Sequence, residues 1–220
     1  MKKIVEIQGL DFHYRNQPSL LSNLNLQFHT GSIYGLVGKN GEGKSTLLKI
    51  ISGLVFPLRG KVKVLGVDSH SRKSKILERI FFLPEEIELP SLNTQQFESV
   101  YAPFYRNFNS AMYHELLNNF MVELPDKLDK LPYSQRKKFS IAFGLATNAQ
   151  VILLDEPTKG LDHHSKKQFL KIISSASSNK NCILVSMQQL DGMEDIIDTF
   201  IYMDNHQVVF KETGNLITQK

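Results

Sequence analysis

The sequence has little cysteine, no long apolar run and only a small excess of charge. Its one cysteine, Cys182, excludes an internal disulfide and is compatible with a reducing cytoplasm. No apolar stretch approaches the ~18 residues that a membrane-spanning helix needs, and Glu6 interrupts the apolar core that a signal peptide would require. The 26 Lys+Arg exceed the 22 Asp+Glu by a formal net charge of +4, too little to indicate nucleic acid as a partner. We therefore expect a soluble cytoplasmic protein with no nucleic-acid partner.

Apolar patterning predicts an α/β chain in which one helical insertion interrupts a core of strands. Strand signals occur at residues 3–30, 61–67, 80–83, 151–154 and 183–186, and a closing hairpin is predicted around Asp204 and Asn205. Helical spacing is found within 111–121, 136–146, 163–176 and 190–197. We predict a single domain over 1–220, with its core in about 1–84 and 150–220 and a helical subdomain in about 85–149.

The most informative stretch is Gly38–Thr46, which matches the phosphate-binding pattern G-x-x-x-x-G-K-[ST]. An apolar strand is predicted before it and a helix after it. A loop in this position aims backbone N–H groups and the positive end of a helix at one point, which suits a polyphosphate. Lys44 would reach the outer phosphates of ATP, and the Ser45 hydroxyl would ligate Mg²⁺. The alternative is a glycine-rich turn that only reverses the chain. The candidate ATP-binding residues of this loop are Gly38, Lys39, Asn40, Gly41, Gly43, Lys44, Ser45 and Thr46.

Two acids follow the apolar run Val151–Leu154. A buried strand that ends in Asp155 places this carboxylate at the carboxyl edge of the sheet, where it could hold Mg²⁺ opposite Ser45. Glu156 would then be the general base that polarises a water attacking the γ-phosphate. The alternative is a pair of surface acids at the end of a strand.

The run Asp155–Asp162 resembles the second acidic motif and D-loop of the ATP-binding-cassette (ABC) ATPases. Tyr14 precedes the phosphate loop where that family places an aromatic ring against adenine. Glu85 stands at the position of the family's Q-loop glutamine, and Leu131–Gln135 stands where the family carries its L-S-G-G-Q signature. The resemblance extends over essentially the whole chain.

This resemblance implies an α/β P-loop NTPase of ABC type, with a mixed-sheet core, an N-terminal antiparallel β-subdomain and a helical insertion. Two such domains close head to tail around two ATP molecules, each ATP capped by the partner's signature. The implied partners are a second ATP-binding domain, in a homodimer or heterodimer, and an integral membrane transporter subunit. The chain would then be a transport-coupled ATPase, peripheral at the inner face of the cell membrane. The aromatic series Phe97–Phe108 would form part of a groove for the membrane subunit, or would pack inside the helical insertion.

The resemblance also assigns roles by position. The catalytic residues would be Glu156, Lys44 and Gln188; further nucleotide contacts would come from Tyr14, Glu85, Ser134, Gln135 and Asp162; and Mg²⁺ would be held by Ser45, Asp155 and Glu85.

Several positions depart from the family pattern. Pro132 replaces the signature serine and supplies neither hydroxyl nor N–H, and Ser134 replaces the second glycine. Ser134 could substitute as a phosphate contact and as the N-cap of a helix. Gln188 replaces the switch histidine and cannot shuttle a proton. The basic run Arg136–Lys138 could add long-range attraction for phosphate, although a solvated helix face is the simpler interpretation.

These departures leave the chain's own nucleotide pocket complete. They predict that ATP binds normally while the isolated protein hydrolyses it slowly. The alternatives are an ATP-binding regulatory subunit with little hydrolysis, a soluble ABC ATPase outside transport, and a P-loop kinase.

Overall fold

The computed structural model of the chain describes residues 1–190 and 192–213, so the end of the predicted domain, 214–220, lies outside the described residues. Its strands are β1 (Lys3–Phe12), β2 (Leu21–His29), β3 (Ser32–Val37), β4 (Arg59–Val64), β5 (Val67–Asp68), β6 (Ile80–Leu83), β7 (Val151–Asp155), β8 (Cys182–Met187), β9 (Thr199–Asp204) and β10 (Gln207–Thr213). Its α-helices are α1 (Lys44–Ile51), α2 (Ser74–Leu77), α3 (Thr94–Tyr101), α4 (Ser110–Asn119), α5 (Tyr133–Ala146) and α6 (His163–Ala176).

The strands form one antiparallel and one mostly parallel sheet. The antiparallel sheet has the order β2-β1-β4-β5, and the second sheet has the order β10-β9-β3-β8-β7-β6. In the second sheet β3 pairs in parallel with β8 and β9, and β7 pairs in parallel with β8 and β6. The prediction of an α/β fold with a mixed-sheet core and an N-terminal antiparallel β-subdomain is confirmed.

Helix α1 lies in the core between the two sheets. Leu47, Leu48, Ile50 and Ile51 are all fully buried, together with residues of β1 and β4 on one side and of β7 and β8 on the other. An eight-residue helix has little stability of its own, so packing on both sides holds it in place. The loop that precedes α1 is therefore anchored on a rigid element.

Strand β7 separates two hydrophobic clusters. Val151 and Leu153 belong to the cluster around α1, while Ile152 and Leu154 belong to the cluster that includes the helical insertion. Successive side chains of a strand point to opposite faces, so a strand covered on both faces is apolar throughout. Cys182 of β8 is fully buried, as predicted for a strand residue, and burial raises the pKa of its thiol.

The predicted helix at 190–197 is wrong for the part that the structure describes. Residues 192–198 form turns, and Gly192 has φ +78°, a left-handed conformation that does not continue an α-helix. Asp198 then anchors the segment to β3, because its carboxylate accepts a hydrogen bond from the Ile33 N–H at 2.8 Å. The predicted helix at 163–176 and the closing hairpin are confirmed as α6 and β9–β10. Within 1–190 and 192–213, every helix is too short or too polar to cross a membrane.

Candidate functional site

A cleft of about 300 Å³ lies at the carboxyl ends of the parallel strands. Its walls come from the β3–α1 loop, from the β1–β2 loop and from the residues that follow β6 and β7. The lining residues are Tyr14, Gln17, Leu20, Asn40, Gly41, Gly43, Lys44, Ser45, Thr46, Glu85 and Glu156. Gln17 and Leu20 were missed from the sequence, although their place in the turn after Tyr14 was a usable signal.

The loop before α1 depends on glycine at two positions. Gly43 has φ +91°, and a Cβ atom there would lie 2.8 Å from Leu21. A Cβ atom at Gly38 would lie 2.5 Å from the Met203 carbonyl oxygen. Gly43 is also the N-cap of α1 and provides no side-chain cap, so N–H groups at the start of the helix remain available to an anion.

The Lys44 ammonium is held above this loop. Its Nζ donates to the carbonyl oxygens of Gly38 at 2.6 Å and of Lys39 at 3.0 Å. The nearest Glu156 carboxylate oxygen is 3.8 Å away. Burial lowers the pKa of Lys44, and the attraction of Glu156 opposes that shift. The lysine is thus a partly desolvated cation beside the N–H groups of the loop.

Asp155 joins the phosphate loop to the sheet. Its Oδ1 accepts hydrogen bonds from Ser45 Oγ at 3.0 Å and from Ser186 Oγ at 2.6 Å. Ser186 is paired with Asp155 by the register of β7 and β8. Ser186 could not be predicted as a site residue from the sequence, because one serine at the end of an apolar run carries no pattern.

The Ser45 and Asp155 oxygens fit a magnesium ion. Both are hard oxygen ligands that face the same point, and Mg²⁺ commonly takes only one or two protein ligands beside phosphate and water. Among the described residues no group of three or more His, Cys, Asp or Glu side chains could hold a metal alone. The donor set therefore suits a metal that arrives with a nucleotide.

Glu156 has a backbone conformation that is uncommon for a residue other than glycine. Its φ is +46°, its N–H donates to Ser186 Oγ at 2.9 Å, and its carbonyl oxygen accepts from Lys137 Nζ at 2.8 Å. Burial raises the pKa of the Glu156 carboxyl, with Lys44 opposing the shift. A carboxylate whose pKa moves toward neutrality is suited to accept a proton from water.

Lys137 does not lie on a solvated helix face, so that interpretation of the basic run was wrong. The side chain is fully buried, and burial lowers its pKa to about 8. Lys138 is buried as well. The packing of α5 against the loop after β7 buries Lys137, and helical periodicity alone could not reveal that neighbour.

Glu85 lies at the edge of the cleft, where its carboxylate forms an ion pair with Lys159. This bond raises the pKa of Lys159. The additional negative charge, relative to a glutamine, is thus offset by a cation from the loop after β7.

Tyr14 lies at the same cleft, 39% exposed, with its hydroxyl 3.1 Å from Thr46 Oγ1. Its ring meets the Phe12 ring edge-on with the centroids 4.9 Å apart. The ring is therefore tethered to the phosphate-loop helix and packed on β1.

Ser134 and Gln135 lie in the first turn of α5, away from the cleft lining. Helix α5 begins at Tyr133 with Pro132 as its N-cap, so the interpretation of Ser134 as the N-cap was wrong. Proline at that position satisfies none of the free N–H groups of the first turn. The Gln135 side-chain oxygen instead accepts from the Glu123 N–H at 3.3 Å.

Asp162 and Gln188 also lie outside the cleft lining. The Asp162 carboxylate caps α6 by accepting from Ser165 N at 2.9 Å and from Ser165 Oγ at 2.8 Å, and these bonds lower its pKa. Gln188 is exposed just past β8 and lines a second pocket with Glu156 and Lys159. The structure thus brings the phosphate loop, Asp155, Glu156, Glu85 and Tyr14 together and leaves Ser134, Gln135 and Asp162 outside the cleft lining. Gln188 lines the neighbouring pocket, which shares Glu156 with the cleft.

Comparisons with known proteins agree on one family. The family model for ABC transporters matches residues 21–159. A putative ABC transporter ATP-binding protein of Caldanaerobacter subterraneus subsp. tengcongensis is 26% identical over 220 residues, covering 95% of this chain and 91% of that protein.

Two solved structures share the fold. One is a dimeric ATP-binding cassette in a post-hydrolysis state bound to ADP and Pi, with a TM-score of 0.83, 23% identity and coverage of 96% of this chain and 98% of that one. The other is cbiO1 of Clostridium perfringens, part of the ABC transporter complex cbiONQ, with a TM-score of 0.79, 22% identity and coverage of 100% and 92%.

Proposed function

This chain belongs to the ABC transporter family, and from that premise we propose that it binds Mg·ATP in the cleft and powers a membrane transporter as its ATP-binding subunit. The hydrogen bond between Ser45 and Asp155 carries the proposal. It joins residues 110 apart in sequence into the pair of oxygens that a nucleotide-bound magnesium ion requires.

The residues of the cleft divide the work of hydrolysis. The loop N–H groups and Lys44 would bind the phosphates. Ser45 and Asp155 would hold Mg²⁺, which would supply positive charge beside the phosphate oxygens. Glu156 accepts the proton of the attacking water, and Tyr14 stacks on adenine. Glu85, at the rim, would offer a carboxylate oxygen to Mg²⁺ or to water on the γ-phosphate side of the nucleotide. ATP and water become ADP and phosphate.

A second ATP-binding domain would complete the site. Ser134, Gln135 and Asp162 lie outside this chain's cleft, which supports their assignment to a partner's ATP in a homodimer or heterodimer. Supporting this arrangement, the dimeric cassette described above has the same fold over nearly its whole length. Gln188, beside Glu156 in the second pocket, would donate a hydrogen bond at the γ-phosphate side when the two domains close.

Slow hydrolysis by the isolated protein is part of the proposal, because Pro132, the N-cap of α5, supplies neither a hydroxyl nor an N–H where the family pattern has a serine. We expect Pro132→Ser to raise ATP turnover at least about 10-fold, because a preorganised donor at a transition-state oxygen is worth roughly 10²–10³ in rate. The measurement is release of phosphate from labelled ATP.

The matched control is Pro125→Ser in the loop after α4, which should turn over ATP like the wild type. Equal rates for Pro132→Ser and wild type would contradict the role given to Pro132. If both the wild type and Pro132→Ser bind ATP without hydrolysing it, the chain is better explained as an ATP-binding regulatory subunit. Pro132 and Gln188 are the observations that support this alternative.

A mostly apolar groove of about 380 Å³ lies between β6 and the helical insertion. Some rings of the aromatic series Phe97–Phe108 pack inside the helical insertion, and others are exposed at the groove. Phe97 is buried against Phe139 and Phe143, with ring centroids 5.1 Å apart in each pair. Phe104, by contrast, is 66% exposed at the groove. Because the groove also includes Pro84, next to Glu85, we propose that it receives a helix of an integral membrane subunit.

We expect the tagged chain, purified in detergent, to carry a polytopic membrane protein with it. Phe104→Asp should reduce the recovered membrane protein by about 10-fold or more, because a buried aromatic anchor contributes about 2 kcal/mol or more to an interface. The matched control is Leu124→Asp, which alters an apolar residue outside the groove that is 50% exposed. ATP affinity should be equal in both variants.

Recovery of the chain alone, by any tag and detergent, would favour a soluble ABC ATPase outside transport. Equal recovery of the membrane protein with Phe104→Asp would place the membrane subunit on another surface of the chain.

A further inference from the structure

The buried Lys137 ammonium links helix α5 to the catalytic loop. Its Nζ donates to the Glu156 carbonyl oxygen at 2.8 Å and to the Tyr133 hydroxyl at 3.0 Å. A buried ammonium is strongly unfavourable unless it is hydrogen-bonded. Charge-assisted hydrogen bonds of this kind are short and hold their partners in a defined geometry. Lys137 therefore restrains the residues around it.

Those bonds hold a strained peptide. Glu156 has φ +46°, and its N–H and carbonyl groups are both engaged, by Ser186 and Lys137 respectively. The Lys159 N–H also donates to the Glu156 carbonyl oxygen, at 3.2 Å. A left-handed conformation outside glycine persists only where the surroundings over-determine it. Lys137 supplies the side-chain bond on the carbonyl end.

Tyr133 extends the same network to two loops. Its hydroxyl donates to the Glu85 carbonyl oxygen at 3.0 Å. Its ring packs on Gly160, where a Cβ atom would lie 2.6 Å from the Tyr133 Cε1 atom. The first turns of α5 thus contact both the segment after β6 and the loop after β7.

We propose that Lys137 is a positioning residue for ATP hydrolysis, which acts through the backbone of Glu156. By fixing the Glu156 carbonyl, it keeps the Glu156 carboxylate beside Lys44, at 3.8 Å. Lys137 does not line the cleft, so its contribution is to geometry and not to nucleotide contact. The inference rests on the proposed function in so far as Glu156 is the general base.

The kinetic test compares Lys137→Met, Lys137→Gln and Lys138→Met. We expect Lys137→Met to lower kcat about 10-fold with KM for ATP within about twofold, because only the arrangement of the base changes. Lys137→Gln should recover at least about a third of the wild-type kcat, because an amide can donate to both the carbonyl and the hydroxyl. Lys138→Met, a buried neighbour on the same helix, should behave like the wild type.

The positioning role also predicts that Lys137→Met has no further effect in a Glu156→Gln background, because residues that act as a unit are not additive. The inference is overturned if Lys137→Met matches the wild type, if the loss is carried by KM, or if Lys137→Gln is as slow as Lys137→Met.

A second readout does not require turnover. Amide hydrogen exchange of the ATP-bound protein should be faster at residues 156–161 in Lys137→Met and unchanged there in Lys138→Met. Unchanged exchange at 156–161 overturns the inference. A wild type that binds ATP without Glu156-dependent turnover contradicts the proposed hydrolysis, while the exchange result still decides whether Lys137 positions Glu156.

If amide exchange in Lys137→Met is faster throughout the chain, that variant has lost stability and does not test positioning. Tyr133→Phe then provides the test. This variant removes one oxygen atom and with it the hydrogen bonds to Lys137 and to Glu85. We expect a local increase in exchange at 156–161 and a fall in kcat of about threefold with KM unchanged, smaller than for Lys137→Met because the Lys137–Glu156 bond remains. Wild-type exchange and kcat in Tyr133→Phe would overturn the inference.

Discussion

Replacing Lys44 with alanine should weaken ATP binding by about 100-fold, because charge-assisted hydrogen bonds contribute roughly 1.5–3 kcal/mol. The Lys44 ammonium is held by the Gly38 and Lys39 carbonyl oxygens at the base of the phosphate loop, and it is the buried cation of the cleft lining. Without it the polyphosphate would face the Glu156 carboxylate, which lies 3.8 Å from the lysine, with no side-chain cation between them.

Titration calorimetry with Mg·ATP measures this loss directly, and the increase in melting temperature on adding ATP should shrink in parallel. Lys49→Ala is the matched control, because Lys49 lies on the same helix and outside the cleft lining. The unliganded Lys44→Ala protein should melt at or above the wild-type temperature, since burial already disfavours the charged lysine. Equal ATP affinity in Lys44→Ala and wild type would show that the phosphate loop does not bind ATP.

Replacing Glu156 with glutamine should reduce ATP turnover by about 10³-fold, within the roughly 10²–10⁴ range of a general base. ATP affinity should be equal or higher, because the change removes a negative charge near the phosphates. The amide keeps the size of the side chain, and the backbone bonds to Ser186 and Lys137 do not involve it. The loss should therefore be chemical and not structural.

Single-turnover release of labelled phosphate is the measurement, in the wild type and in the faster Pro132→Ser background. Glu86→Gln is the control, because Glu86 is exposed next to the cleft residue Glu85 and outside the cleft lining. Glu156→Gln turnover above a tenth of the wild-type rate would exclude Glu156 as the base. If the wild type hydrolyses several ATP per second and Glu156→Gln abolishes this turnover, Glu156 remains the general base. The prediction of slow hydrolysis is then contradicted.

Local sequence was sufficient for the phosphate loop. Gly43 has a left-handed backbone angle, φ +91°, which the loop itself requires, and Lys44 and Ser45 follow it directly. The close contact of Gly38 with the Met203 carbonyl oxygen comes from β9 and was not visible in the sequence. The apolar run before Asp155 also predicted its strand directly, because a strand that is covered on both faces has no alternation of apolar and polar residues. Where a helix was predicted at 190–197, Gly192 and the anchor at Asp198 outweighed helical periodicity.

The residues that sequence reasoning missed or misjudged are brought to the site by packing between distant elements. Ser186 reaches Asp155 through the register of two parallel strands, and a serine alone has no pattern. Lys137 stands in a basic run typical of a solvated face, yet α5 packs against the loop after β7 and buries it. Ser134 was interpreted as the N-cap, whereas Pro132 is the N-cap and α5 begins at Tyr133, two residues before the start that a cap at Ser134 would give.

The sequence by itself thus determined the family, the fold class and the phosphate loop, because glycine, lysine and acid positions at fixed spacing define local backbone chemistry. Tertiary structure alone decided that Glu85 pairs with Lys159, that Ser186 bonds Asp155 and that Lys137 bonds the Glu156 carbonyl. Each of these contacts depends on how separate elements pack, and a hydrogen bond or ion pair requires ångström distances that spacing along the chain does not specify.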